Sequence, residues 1–133
     1  MKLTTSLLDD LTARAKASPR LRMNLDLRNS AEDGSQRMLN ALEPGPLGII
    51  HRHTKTTETI AILRGHLQEY YYNEDGTLQS VFDLAPGGPI VAFSVPIGQW
   101  YSARALAFGT VILSCKDGAY EPLGQEDILD YTL

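Results

Sequence analysis

Apolar and polar residues alternate with a period of two along most of this chain, and only the opening stretch breaks the pattern. There Leu7, Leu8, Leu11 and Ala15 recur at helical spacing and predict a helix over residues 5 to 17. Thr5 or Ser6 suits its start, Asp9 and Asp10 favour the positive end of its dipole, and Pro19 ends it. Beyond it Leu21, Met23, Leu25 and Leu27 alternate with Arg22, Asn24 and Asp26, a strand signal. Residues 29 to 35 read as a loop, and Arg37 to Leu42 as a second strand closed by Pro44-Gly45-Pro46. Further strands are predicted near 47–53, 58–63, 66–73, 77–84, 90–95, 100–106 and 110–116. Asp75-Gly76 marks a hairpin between two of them.

Many short strands with turn signals between them, and no helix separating them, predict an all-β sandwich or barrel rather than a parallel α/β sheet. The 133 residues suffice for one domain with its own core. Its expected parts are an N-terminal helix over 1–18 packed on the outside, a barrel over 19–119 and a C-terminal arm over 120–133. Apolar residues make up 43% and charged residues 21%, as in ordinary globular proteins. A net charge of −4 without basic runs argues against nucleic acid and anionic membrane as partners. The lone Cys115 forms no internal disulfide and reads as a small buried hydrophobe. Asp9 and Asp10 interrupt any signal-peptide core, and the apolar run from Ala105 to Leu113 is shorter than the roughly 20 residues a membrane span needs. A cytoplasmic location is expected.

The candidate chemistry lies at His51, His53 and Glu58. Side chains two apart on a strand leave from the same face, so both imidazoles point one way, and a bend returns Glu58 on the next strand. Leu47 and Ile49 share the histidine face, and Ile60 and Ile62 share that of Glu58, which predicts an internal site if Ile49 and Ile60 point inward. Two imidazoles and a carboxylate suit a divalent metal, with Fe, Zn, Ni and Mn all compatible. A satisfied polar cluster without metal is the plainer alternative. His66 follows a turn and reads as a surface residue. Tyr70, Tyr71 and Tyr72 straddle both faces and read as packing, with a stacking wall for a ligand as the alternative. Arg20, Arg22 and Arg37 read as surface residues, and an anion-binding role suits arginine chemistry. Lys116, Tyr120 and Glu121 are candidates for the rim.

The stretch Gly45-x5-His51-x-His53-x4-Glu58-x6-Gly65 resembles the first cupin motif at every position. The chain is most similar to the WbuC-type cupin-fold metalloproteins, through Ser18-Pro19-Arg20-x-Arg22-x-Asn24, Gln36-Arg37-Met38-Leu39-x-Ala41-Leu42-Glu43-Pro44-Gly45, Leu63-Arg64-Gly65, Asp75-Gly76, Pro96-x-Gly98-x-Trp100 and Lys116-Asp117-Gly118-x-Tyr120-Glu121-Pro122. The resemblance implies a jelly-roll antiparallel β-barrel with a divalent metal at one end. It also implies a bacterial setting among surface-polysaccharide genes, a small-molecule ligand, and pairing of two copies into a homodimer.

Two positions depart from the family's pattern. Tyr101 stands where the second motif has its last metal-binding histidine, and Asp26 stands where the family has a histidine near the start. Tyr101 is therefore a candidate fourth metal ligand, a hydrogen-bond donor to metal-bound water, or an acid or base beside Glu58. Asp26 is a candidate oxygen ligand or substrate contact, with Arg37 and Trp100 as further substrate contacts. The expected function is that of a metal-dependent enzyme of isomerase, epimerase or lyase type acting on a sugar or sugar-nucleotide derivative. A non-catalytic ligand-binding or sensing module and an Fe(II)-dependent dioxygenase are the alternatives.

Overall fold

The computed structural model describes residues 1–129. It opens with helix α1 (Thr5–Ala17), followed by β1 (Arg22–Asp26), β2 (Ser35–Leu42), β3 (Ile50–His51), β4 (Glu58–Arg64), β5 (Leu67–Tyr72), β6 (Leu78–Leu84), β7 (Ala92–Val95), β8 (Trp100–Ala105) and β9 (Thr110–Asp117). A 3-10 turn (Gln125–Asp127) and the short strand β10 (Ile128–Leu129) end the described chain. Two five-stranded antiparallel sheets pack face to face, one ordered β1-β2-β9-β4-β7 and the other β10-β3-β8-β5-β6. The molecule is all-β with one N-terminal helix, as the alternation predicts.

Strand register decides what lies between the sheets. Glu58, Ile60 and Ile62 of β4 stand opposite Lys116, Ser114 and Ile112 of β9, and this row faces inward. Leu67, Glu69 and Tyr71 of β5 stand opposite Ala105, Ala103 and Tyr101 of β8 and face them from the other sheet. Ile60, Ile62, Leu67, Leu84 and Ile112 form the apolar core between the sheets. A second core lies outside the sandwich, where Leu8, Leu11 and Ala15 of α1 cover Leu39, Ala41 and Val111. Each leucine so buried contributes about 1.5–3 kcal/mol.

Thr4 caps α1 by accepting from the Leu7 amide at 3.2 Å, one residue before the expected start. Asp9 lies past the first turn, where the dipole holds it weakly, and pairs instead with Arg64 of β4 at 2.6 Å. The strand expected over 47–53 shrinks to two residues. Ile49 is 61% exposed, and Ile50 is the buried residue of the pair, packed with Tyr72 and Trp100 on the outer face of its sheet. Before Ile50 the backbone makes an isolated bond to β8, from the Gly48 N–H to the Ala103 carbonyl, and Pro46 has no N–H to extend it into a ladder. The expected apolar neighbour of the histidines is thus absent, while His51 still stands opposite Tyr101.

Gly65 turns β4 into β5 at φ +88°, and a Cβ there would lie 2.3 Å from Thr110 Oγ1. Only glycine fits that position. The tail expected as an arm or short helix supplies the 3-10 turn and β10, which pairs with β3 beside His51, and residues 130–133 fall outside the described chain. No helix among the described residues is long and apolar enough to cross a membrane.

Candidate metal centre

His51 sits on β3 and His53 two residues on, with ring centroids 5.1 Å apart and the rings at 87°. His51 Nδ1 lies 3.1 Å from the Ile49 carbonyl oxygen. An acceptor there calls for the proton on Nδ1 and leaves the Nε2 lone pair free, the arrangement metal-binding imidazoles adopt. Burial lowers the pKa of His51. Burial, aided by the Lys116 charge, brings His53 down to about 4. Both imidazoles are therefore neutral at neutral pH. His53 Nε2 is buried and has no hydrogen-bond partner among the described residues.

Tyr101 links these rings to the opposite sheet. Its ring centroid lies 4.4 Å from that of His51, and its hydroxyl donates to Glu58 Oε1 at 2.5 Å. Ser114 donates to Glu58 Oε2, and Lys116 Nζ stands 3.7 Å from the same oxygen. Burial raises the Tyr101 pKa, and the Glu58 charge raises it further, so the side chain is a protonated phenol that gives its hydrogen to the carboxylate.

The expected residues divide accordingly. His51, His53, Tyr101 and Glu58 are brought together, with Tyr101 between the imidazoles and the carboxylate. Among the described residues no group of three or more His, Cys, Asp and Glu side chains gathers closely enough to hold a metal by itself. Glu58 is turned instead to Tyr101, Ser114 and Lys116.

Asp26 does not join the cluster. It lies on β1 at the edge of the sheet, opposite Met38, where Arg28 grips both carboxylate oxygens at 3.0 and 2.7 Å. Those hydrogen bonds lower its pKa. Arg37 is on the other face of β2 from Gln36 and Met38, beside Leu39, and donates to the Leu27 carbonyl and to Asp33 at 3.1 and 3.2 Å. Trp100 points away from Tyr101 and is 5% exposed, packed with Ile50 and Tyr72 under the Arg52 guanidinium at 4.6 Å. One residue and one side of the strand separate Trp100 from the site.

Tyr71 faces inward, stacked edge-on against Phe82 at 5.3 Å, and its pKa is pushed up to about 12 by burial and by Glu69. Lys55 pairs with Glu121 at 3.1 Å on the surface, and Tyr120 carries Arg28 over its ring at 5.9 Å. Cys115 is half-buried on the outer face of β9, opposite Arg37 and Thr59. His66 is near Asp83 at 3.3 Å, away from the cluster.

Three residues at the site do not follow from the metal pattern: Ser114, Lys116 as a partner of Glu58, and Glu69. The inward row of β9 identifies the first two once β4 is placed beside it. Glu69 was legible only as an acid at an inward position of a strand, flanked two residues away by Leu67 and Tyr71.

A family model described as "Domain of unknown function (DUF6016)" matches residues 3–84. No curated protein matches the sequence. Many solved structures do share the fold. KdgF from Halomonas sp. superposes with a TM-score of 0.60 at 14% identity, over 77% of this chain and 84% of that one. CapF, solved with the inhibitor 3-isopropenyl-tropolone, gives 0.61 at 15% identity over 80% of this chain and 30% of its own. The E162A mutant of Bacillus subtilis oxalate decarboxylase OxdC gives 0.58 at 20% identity over 76% of this chain and 26% of its own. The chain thus spans less than a third of the last two. The shared fold is that of the cupins, in agreement with the motif around His51. Bacillus subtilis oxalate decarboxylase carries Mn(II) centres.

Proposed function

The chain belongs to the DUF6016 family, and within that frame we propose that it is a cupin that binds a divalent metal and acts on a small polar molecule. The observation that carries this reading is the buried Nε2 of His53, without a hydrogen-bond partner among the described residues, beside the neutral imidazole of His51. An orphaned buried nitrogen costs free energy unless something meets it, and a neutral imidazole nitrogen is a ready metal ligand. His51 and His53 would hold the cation, while Glu58, engaged by Tyr101, Ser114 and Lys116, would stand behind Tyr101 as a carboxylate outside the ligand set.

A cation so held supplies Lewis acidity, polarising a carbonyl or hydroxyl of the ligand. The chain's own residues do the rest. Tyr101 holds a proton at its hydroxyl, 2.5 Å from Glu58 Oε1, and the pair can give or take it beside a bound ligand. Ser114 and Lys116 fix the second oxygen of Glu58 and keep the carboxylate aimed into the barrel. Isomerisation, epimerisation or elimination on a sugar-like substrate would use such a proton carrier, and the polysaccharide setting follows from the WbuC-type resemblance alone.

A second reading has its own support. Tyr101, Ser114 and Lys116 already satisfy Glu58 without a metal, which favours a ligand-binding module in which that carboxylate needs no cation. Metal content of protein loaded with Mn(II) or Zn(II) and then desalted, compared between the wild type and His51→Ala with His53→Ala, separates the two. About one equivalent retained by the wild type and lost by the double variant supports the metal reading. Equal, negligible retention by both leaves the module.

A further inference from the structure

The barrel holds a second inward carboxyl that the metal reading leaves idle. Glu69 on β5 is fully buried, and neither of its carboxyl oxygens has a hydrogen-bond partner among the described residues. Nearly all buried polar atoms in native proteins are paired, so two orphaned oxygens on one side chain call for an occupant.

Register places the group. Glu69 is opposite Phe82 on β6 and Ala103 on β8, and the next inward pair is Tyr71 with Tyr101. It therefore lies one step, about 7 Å of strand, below the Tyr101–Glu58 bond on the same inner face. The apolar cluster of Leu67, Leu84 and Ile62 lies beneath it. Ala103 presents only a methyl group opposite Glu69, and it is half-buried rather than sealed. The titratable groups facing Glu69 are Glu58 from β4, Tyr101 from β8 and Tyr71 from its own strand, while β6 offers Phe82 and Leu84. Lys116 of β9 is the cation of this cluster, and it is engaged with Glu58. The interior is thus rich in oxygen and poor in positive charge. Burial, reinforced by the Glu58 charge, pushes the Glu69 carboxyl up to about 9, so at neutral pH it both donates and accepts.

We infer that Glu69 is a ligand-binding residue forming the polar floor of the barrel, and that its occupant is an uncharged hydroxyl-bearing molecule rather than an organic anion. A hydroxyl offers one donor and accepting lone pairs, the complement of a neutral carboxyl. An anionic carboxylate would meet the Glu58 charge, with Lys116 the one cation beside it among the described residues and already engaged with Glu58. The inference deepens the proposed reading of the barrel interior as a ligand site, but it does not depend on the metal.

The test is saturation-transfer NMR on the metal-free protein with matched probes, D-glucose against D-glucuronate and D-galactose against D-galacturonate. At least one aldose should bind, and its uronate about tenfold more weakly or worse. Glu69→Leu should weaken the aldose about tenfold, and Glu69→Gln, which keeps a donor and an acceptor, by no more than about threefold. Uronate preference, unchanged aldose binding by Glu69→Leu, or no aldose binding at all would overturn the inference. Should Glu69→Leu fail to fold, the aldose-over-uronate preference of the wild type decides alone. Zinc titration of the same proteins keeps the two ideas apart. Failure of wild-type zinc binding removes the metal proposal, and the aldose result still judges Glu69.

Discussion

Tyr101 of one sheet donates its hydroxyl hydrogen to Glu58 of the other at 2.5 Å. The bond joins the sheets at the site and sets the direction of the carboxylate. Removing the donor leaves Glu58 Oε1 buried with one partner fewer. Tyr101→Phe should lower unfolding free energy by about 1–3 kcal/mol, read from the urea midpoint at unchanged slope. A variant as stable as the wild type would mean that the bond is not formed in solution.

Glu69 makes stability depend on pH in a direction opposite to that of a paired acid. In the folded protein its carboxyl keeps the proton up to about 9, against 4.5 for an ordinary glutamate. Between those values the unfolded chain has lost the proton and the native chain still holds it, so the unfolded state binds fewer protons. Stability from this group is therefore full below the ordinary value and falls as pH rises, by at most about 1.4 kcal/mol per pH unit. Denaturant melts from about pH 5 to pH 8 should show the decline in the wild type and a flatter profile in Glu69→Gln. Parallel profiles would show that Glu69 does not keep its proton.

Gly65 should tolerate no side chain. Its φ of +88° disfavours any residue with a Cβ, and that atom would lie 2.3 Å from Thr110 Oγ1 and 2.5 Å from Thr110 Cα. The second contact is backbone, so the neighbour cannot rotate away. Gly65→Ala should cost more than about 2 kcal/mol in equilibrium unfolding, whereas Gly87→Ala, with open space around its φ of +75°, should cost only about 1 kcal/mol. Equal losses would contradict the packing shown here.

Lys116 would oppose a bound cation through its charge. It stands 3.7 Å from Glu58 Oε2, and beside burial, the larger cause, that charge lowers both imidazole pKa values, a field that repels a metal ion as it repels a proton. Lys116→Met should raise the affinity for Zn(II) at pH 7 at least about threefold in a competitive chelator titration, since even a partly screened charge at this range is worth about 1 kcal/mol. Unchanged or weaker affinity would place the cation elsewhere.

The fold was largely legible because its signals are local. Helix α1 and most strands follow from the spacing of Leu7, Leu8, Leu11 and Ala15 and from the two-residue alternation, both of which survive packing. Around Leu47 to Ile49 the alternation misleads, because Gly48 bonds to the Ala103 carbonyl from an irregular loop and leaves Ile49 in solvent. The motif placed His51, His53, Glu58 and Tyr101 near one another, although β3 and β8 lie in one sheet and β4 in the other, so that Glu58 meets them across the sandwich rather than from a neighbouring strand. It could not show that Arg28 would hold Asp26, that Arg37 would face outward to Asp33, or that Trp100 would pack under Arg52, because those pairings depend on which elements meet. Glu69 escaped for the same reason: a buried acid is conspicuous only once its surroundings are known.

The proposed metal centre stands or falls on His51 and His53. Isothermal titration of chelator-treated protein with Mn(II) and Zn(II), run beside the His51→Ala/His53→Ala variant at matched fold by circular dichroism, tests it most directly. About one site per chain is expected in the wild type and none in the variant. No saturable binding in the wild type, or the same binding in both proteins, would contradict it.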